Sequence, residues 1–178
     1  PCGDPDLLVT LEIDATLDVF RQPDAQFQAL LSIAGDSEGC VCFARLGHRL
    51  IGYATFHPPD AIERWSQATI PGVVELGAIE TSRTHRGRHL GRFEDKILIA
   101  TIYQWHFDLD GTNLTAHAYR KLLERMYGSV GFEVMKTDDP EIAYYPGNSL
   151  MARIGARASP ALKTEFDRLR WLETGRPR

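Results

Sequence analysis

Between Val73 and Gly91 an apolar run meets a turn crowded with cations and glycines: Arg83, His85, Arg86, Arg88, His89 and Arg92, with Gly87 and Gly91 among them. Such a turn has the composition of an anion cradle. Glycines and the first turn of a helix leave backbone N–H groups free to point at a phosphate, and guanidinium groups neutralise it. The competing reading is a basic surface turn after a buried strand, and spacing alone does not separate the two.

The rest of the composition makes this cluster a local feature. Twenty Lys and Arg against 24 Asp and Glu give a formal charge of -4, the wrong sign for a general nucleic-acid binder. A length of 178 residues with 43% hydrophobic and 25% charged residues suits one domain, taken as 1–178, with a core that needs no staples. Cys2, Cys40 and Cys42 are odd in number and are read as buried thiols of a reducing, cytoplasmic compartment. Cys40-x-Cys42 has no second pair at zinc spacing, so no metal is expected. No secretory leader or membrane-length apolar run occurs, and Pro1 in place of an initiator Met implies a longer translated product.

The elements that position the basic turn follow from periodicity. Leu7 to Ile13 reads as an opening strand ending at Asp14-Ala-Thr16, and Pro23 to Gly35 as a helix with Phe27, Leu30, Leu31 and Ala34 on one stripe. Cys40 to Leu46 and Leu50 to His57 read as an antiparallel hairpin around Gly47-His48, a pair that suits a type II′ turn. Asp60 to Trp65 is a short helical excursion in which Trp65 serves packing. Val73 to Thr81 is a strand whose strict alternation puts Glu75, Gly77 and Ile79 on one face and Leu76, Ala78 and Glu80 on the other, unless Gly77 marks a bulge. Lys96 to Phe107 is read as a further strand. A helix capped by Asn113 follows, then a strand at Phe132 to Lys136, a turn at Thr137 to Glu141, a strand at Ser149 to Ile154 and a helix around Leu162 to Leu172.

With these elements in place, Arg86-Gly-Arg-His-Leu-Gly91 resembles the Arg-x-x-Gly-x-Gly/Ala loop with which GNAT-superfamily acyltransferases hold the pyrophosphate of coenzyme A, His89 standing where the middle Gly is usual. Beyond that loop the chain resembles the acetoin-utilisation acetyltransferases, a GNAT branch. The likeness rests on Ile62-Glu-Arg-Trp-Ser66, Glu75-Leu-Gly-Ala-Ile-Glu80, Tyr103-Gln-Trp-His-Phe-Asp-Leu109, Tyr119-Arg-Lys121, Thr137-Asp-Asp-Pro-Glu-Ile142, Leu150-Met-Ala-Arg-Ile-Gly155 and Phe166-Asp-Arg-Leu-Arg170.

The resemblance implies an α/β (α+β) GNAT fold, with a mixed central sheet, helices on both faces and two splayed parallel strands. It implies acetyl-CoA as donor and, as acceptor, a lysine of acetyl-CoA synthetase, which acetylation switches off. A small-molecule amine acceptor and a catalytically silent CoA-binding regulatory module are the alternatives. A homodimer stays open, and neither a nucleic acid nor a membrane is an expected partner.

Site roles come with the resemblance. Ile79 and Thr81 would pair with the pantetheine amides, and an N–H near Ile79 or Glu80 would meet the thioester oxyanion. The phosphates fall to Arg86, Gly87, Arg88, His89, Leu90 and Gly91. A lysine nucleophile must lose a proton, for which Glu80 is the first carboxylate and Glu75 the second; each is otherwise a strand-end carboxylate in a salt bridge or in solvent. Tyr119 would protonate the leaving thiolate, or else simply cover the core. His106, Tyr103 and Trp105 could line an acceptor channel or belong to the core. The acidic turn Asp138-Asp139-Glu141 could meet a basic protein surface or lie in solvent. GNAT relatives carry a helix where only Arg92-Phe-Glu-Asp95 stands here; either Phe93 to Phe107 is that helix, or the sequence lacks residues there, as the β-branched content favours.

Overall fold

The structure, a computed structural model, describes residues 2–85, 94–103 and 115–175, so the basic turn at 86–91 and the segment Tyr103-Gln-Trp-His-Phe beyond Tyr103 lie outside the described residues. The chain divides into two compact units. One comprises Pro1–Pro58 and Glu75–Arg92, the other Pro59–Val74 and Phe93–Arg178.

In the first unit the chain opens with a helical turn, α1 (Pro5–Leu8), rather than a strand. Asp4 caps it by accepting from the Asp6 N–H, and Pro5 fits the first helical position, so local capping overrides the β-forming residues behind it. Only β1 (Glu12–Ile13) remains of the expected strand, paired in parallel with Arg49 and Leu50. Helix α2 (Pro23–Gly35) has the expected bounds and buries Leu30 against Leu17, Val41, Leu50 and Tyr53. Strands β2 (Cys40–Leu46) and β3 (Arg49–His57) form the hairpin. Gly47 takes φ of 62° while no described non-glycine residue has a positive φ, which fits type II′ and excludes type I′.

The cysteine reading is corrected here. Cys2 and Cys40 are joined as a disulfide, and Cys42 alone remains a thiol. The Gly3 N–H donates to the Val41 carbonyl at 2.7 Å, which lays the first residues along β2 and brings two cysteines 38 positions apart to a Cα separation of 5.1 Å. Burial pushes the Cys42 thiol up from its ordinary pKa.

Strand β4 (Val73–Thr81) has the expected bounds and pairs antiparallel with β3. In the second unit β5 (Ile97–Ile102) is a strand, as expected, and it is buried along nearly its whole length. Helix α3 (Ala116–Gly128) begins behind a Thr115 cap, not an Asn113 one: the Thr115 hydroxyl accepts from the Ala118 N–H at 3.2 Å. Strands β6 (Glu133–Met135) and β7 (Ser149–Ile154) complete an antiparallel trio with β5 in the order β5, β7, β6. Helix α5 (Pro160–Arg170) covers the face formed by Ile97, Ile99, Leu150 and Ala152 through Leu162 and Phe166. From α3, Glu124 accepts from the Ser149 hydroxyl at 3.2 Å, and Ser149 alternates with Leu150, so α3 lies on the other face. Trp65, in a 3₁₀ turn over Arg64–Gln67, is 1% exposed and packs on Phe166 with ring centroids 5.7 Å apart, a packing role as expected.

The acidic turn is a second correction. Pro140–Ala143 form a short helix, α4, capped by Asp139, and Asp138 and Asp139 turn inward to bind Arg64. Arg64 is 7% exposed; its Nη1 lies 2.5 Å from Asp138 and its Nε 3.0 Å from Asp139, and Nη1 also donates to the Leu169 carbonyl. These two acids therefore hold the second unit together rather than face a partner.

Candidate active site

The β3–β4 ladder positions the candidate side chains of the first unit. Its register runs Gly52–Thr81, Tyr53–Glu80, Ala54–Ile79 and Thr55–Ala78, then skips Gly77 to continue Phe56–Leu76 and His57–Glu75. Gly77 is thus the extra residue of a β-bulge. The consequence for the site is large. Tyr53, Thr55 and His57 alternate along one face of β3, so their partners Glu80, Ala78 and Glu75 share that face. Strict alternation would have put the two glutamates on opposite faces.

The two carboxylates differ in environment. Glu80 is 7% exposed and both oxygens are engaged: Oε2 accepts from the Tyr53 hydroxyl at 2.7 Å, and Oε1 from the Val19 N–H at 2.9 Å. Burial, and then the hydrogen bond and charge of Glu80, push the Tyr53 hydroxyl well above the ordinary tyrosine range, so this phenol stays protonated and donates. Glu75 is only half-buried, at the far end of the same ladder.

Opposite Glu75 stands His57. Its Nδ1 lies 2.8 Å from the Pro58 carbonyl oxygen, and a side chain at Gly77 would put Cβ 2.8 Å from Nε2 and 3.0 Å from the Thr55 hydroxyl. The ring therefore lies over the bulge. Ile79 and Thr81 are half-buried further along β4.

The approach to the basic turn is built tightly. Ser82 is fully buried, its N–H donates to the Ile51 carbonyl, and its hydroxyl lies 2.8 Å from His85 Nδ1. The Arg83 N–H donates to the Thr16 hydroxyl, and its guanidinium pairs with Asp18 at 3.2 Å, so Arg83 is engaged within its own unit. Beside Thr84 and His85 opens a cleft of about 420 Å³ lined also by Asp14, His48 and Arg49. The Asp14 carboxyl is held below its usual value by the N–H and hydroxyl of Thr16.

Glu75, Ile79, Glu80 and Thr81 are thus gathered on one strand. Arg86, Gly87, Arg88, His89, Leu90 and Gly91 fall outside the described residues. Tyr119 lies in the other unit, half-buried in the first turn of α3, and Tyr103 donates to Glu63 at 3.4 Å within that unit. Sequence reasoning missed Tyr53 and His57. For His57 the signal was its place as the last strand residue before Pro58-Pro59; for Tyr53 there was none without the register.

Comparison with known proteins agrees with this architecture. The model of the acetyltransferase (GNAT) family matches residues 8–132, reaching from the first unit into the second. The chain belongs to the GNAT acetyltransferase family. It is 40% identical to the acetoin utilization protein AcuA of Bacillus licheniformis and 39% identical to that of Bacillus subtilis, in each case over 94% of this chain and 85% of the relative. The crystal structure of an acetoin utilization protein from Exiguobacterium sibiricum superposes with a TM-score of 0.75 at 40% identity, covering 97% of this chain and 87% of that one. Within the GNAT family the chain therefore falls in the acetoin-utilisation branch, and acetyl transfer is its chemistry. Among the described residues no helix is long and apolar enough to cross a membrane.

Proposed function

We propose that this acetyltransferase moves the acetyl group of acetyl-CoA to a lysine side chain of a protein, acetyl-CoA synthetase, and so switches the synthetase off in the cytoplasm. The observation that carries the reading is 40% identity, sustained over 94% of the chain, to a protein named for acetoin utilisation. Residues 1–178 act as one acetyltransferase domain on this reading.

The chemistry needs four services. Arg86 to Gly91 hold the phosphates, and the backbone at Ile79 and Thr81 receives the pantetheine arm. The lysine ammonium must then lose a proton to one of the two carboxylates that share this face, and Glu75 takes that part because it is half-buried where Glu80 is buried. Glu80 fixes the strand end that carries the oxyanion-binding N–H. As the C–N bond forms and the C–S bond breaks, Tyr119 protonates the thiolate. No covalent enzyme intermediate is required.

Incubating the protein with acetyl-CoA and intact synthetase, followed by peptide mass spectrometry, tests the acceptor. An acetylated synthetase lysine with parallel loss of synthetase activity is expected. Acetylation of polyamines or amino acids with an untouched synthetase would identify a small-amine enzyme, and binding without turnover a regulatory module.

A further inference from the structure

We propose that His57 is a further catalytic residue of the acetyl transfer, taking through Nε2 the second proton that the attacking amine must lose. The inference rests on the acetyl-transfer reading above, but not on which amine is the acceptor.

The tautomer follows from the contact at Nδ1. A carbonyl oxygen only accepts, so at 2.8 Å from the Pro58 oxygen Nδ1 carries the hydrogen, and the neutral ring keeps its lone pair on Nε2. The Pro58-Pro59 pair restrains the backbone that supplies this carbonyl. The basic nitrogen is thus turned away from its own strand end and lies over Gly77.

That position is close to the expected reacting region. Gly77 precedes Ile79 by two residues, roughly 7 Å along a strand, and Ile79 is where the pantetheine arm and thioester are expected. Only a glycine leaves the surface open there, since a Cβ would sit 2.8 Å from Nε2. The charged group facing the ring from β4 is Glu75, its register partner. On the other edge the β2 ladder ends at the Cys40–Phe56 pair, one residue short of His57.

Proton balance leaves a task for a second base. A lysine ammonium gives one proton to Glu75 before attack. Once the C–N bond has formed, the nitrogen carries a further proton, which passes to Nε2 as the C–S bond breaks and the thiolate is protonated by Tyr119. The imidazolium and the carboxylic acid then each give a proton to water, and the phenolate that protonated the thiolate takes one back from water, which leaves the single proton the overall reaction releases.

The test is steady-state kinetics of the full chain with acetyl-CoA, offering acetyl-CoA synthetase and spermidine separately as acceptors. H57A should lower kcat about 100-fold, leave the acetyl-CoA KM within about twofold, and regain about tenfold in turnover when free imidazole is added. Turnover close to wild type, or a loss that imidazole does not restore, overturns the assignment. Nitrogen-15 spectra of the wild-type histidines decide the matter even if H57A does not fold: the proton of neutral His57 should be on Nδ1, and a proton on Nε2 overturns the proposal. If spermidine is acetylated and the synthetase is not, the protein-lysine reading falls while the His57 test proceeds on spermidine. If H57A stays active on the synthetase, the reverse holds.

Discussion

Tyr53 donates its hydroxyl to Glu80 across the β3–β4 ladder at 2.7 Å, a buried bond between two side chains that the sequence separates by 27 positions. On the function proposed above, this bond gives Glu80 a holding task and the proton transfer falls to Glu75. Y53F would strand one oxygen of a buried carboxylate, at a cost of about 1–3 kcal/mol. E80Q would oppose an amide NH2 to one of two donors. Both variants should melt earlier in thermal denaturation. E75Q should keep the melting temperature and acetyl-CoA affinity while kcat falls about 10²–10⁴-fold. E80Q that melts like wild type but turns over as slowly as expected for E75Q would return the base to Glu80.

Gly77 is the second point of leverage. In G77A the new methyl must displace the His57 ring, because Thr55 beside it is buried and cannot yield as readily. A half-buried ring moves more cheaply than strand backbone, so overpacking should stay near the low end of the usual ~1–3 kcal/mol. Turnover should drop at least about tenfold with acetyl-CoA binding intact, one part of the general-base contribution. Calorimetry beside kinetics checks this, and equal losses of binding and turnover would point to a distorted strand.

Arg64 gathers three of the segments that carry the family resemblance: its own, the Asp138-Asp139 turn and the end of α5 at Leu169. Burial works to raise the Asp138 carboxyl, but its hydrogen bonds to Arg64 and Thr174 outweigh that and hold it below the ordinary value. R64A leaves two inward carboxylates without their cation and should cost about 3–5 kcal/mol. R64K should recover only part of that, since an ammonium lacks the fork that serves both acids. Urea denaturation of each variant measures the difference.

Glu165 supplies an acid-sensitive tie in the same unit. Hydrogen bonds from Arg168, then from the Thr69 N–H, hold its carboxyl at about 2 against an ordinary 4.5. A depressed carboxylate stabilises the fold fully above its unfolded value and loses that contribution as pH falls through its folded value. Wild type should therefore out-melt E165Q at pH 7, and the gap should close between about pH 4.5 and 2. A gap that persists at pH 2 would show that the glutamate stabilises by packing alone.

Much of this protein was determined by sequence alone. α2, β2, β4 and β7 match their expected bounds, because binary patterns of period 3.6 and 2 and the Gly and Pro punctuation are local properties. The family was legible for a related reason: short segments keep the residue types that its elements require. Tertiary structure decided what depends on pairing over distance. One skipped residue at Gly77 reverses strand parity and brings Glu75 to the face of Glu80; the glycine allowed a bulge, but only the register against β3 fixed it. The opening segment became a helical turn bonded through Cys2 to Cys40, because a cap and a contact 38 residues away outweigh β propensity. The acids of the 138–139 turn, solvent-like by composition, turned inward because Arg64, 74 residues earlier, is buried where only paired charges are tolerated. Periodicity records which face a residue prefers; which partner waits on that face is set by packing between segments remote in sequence.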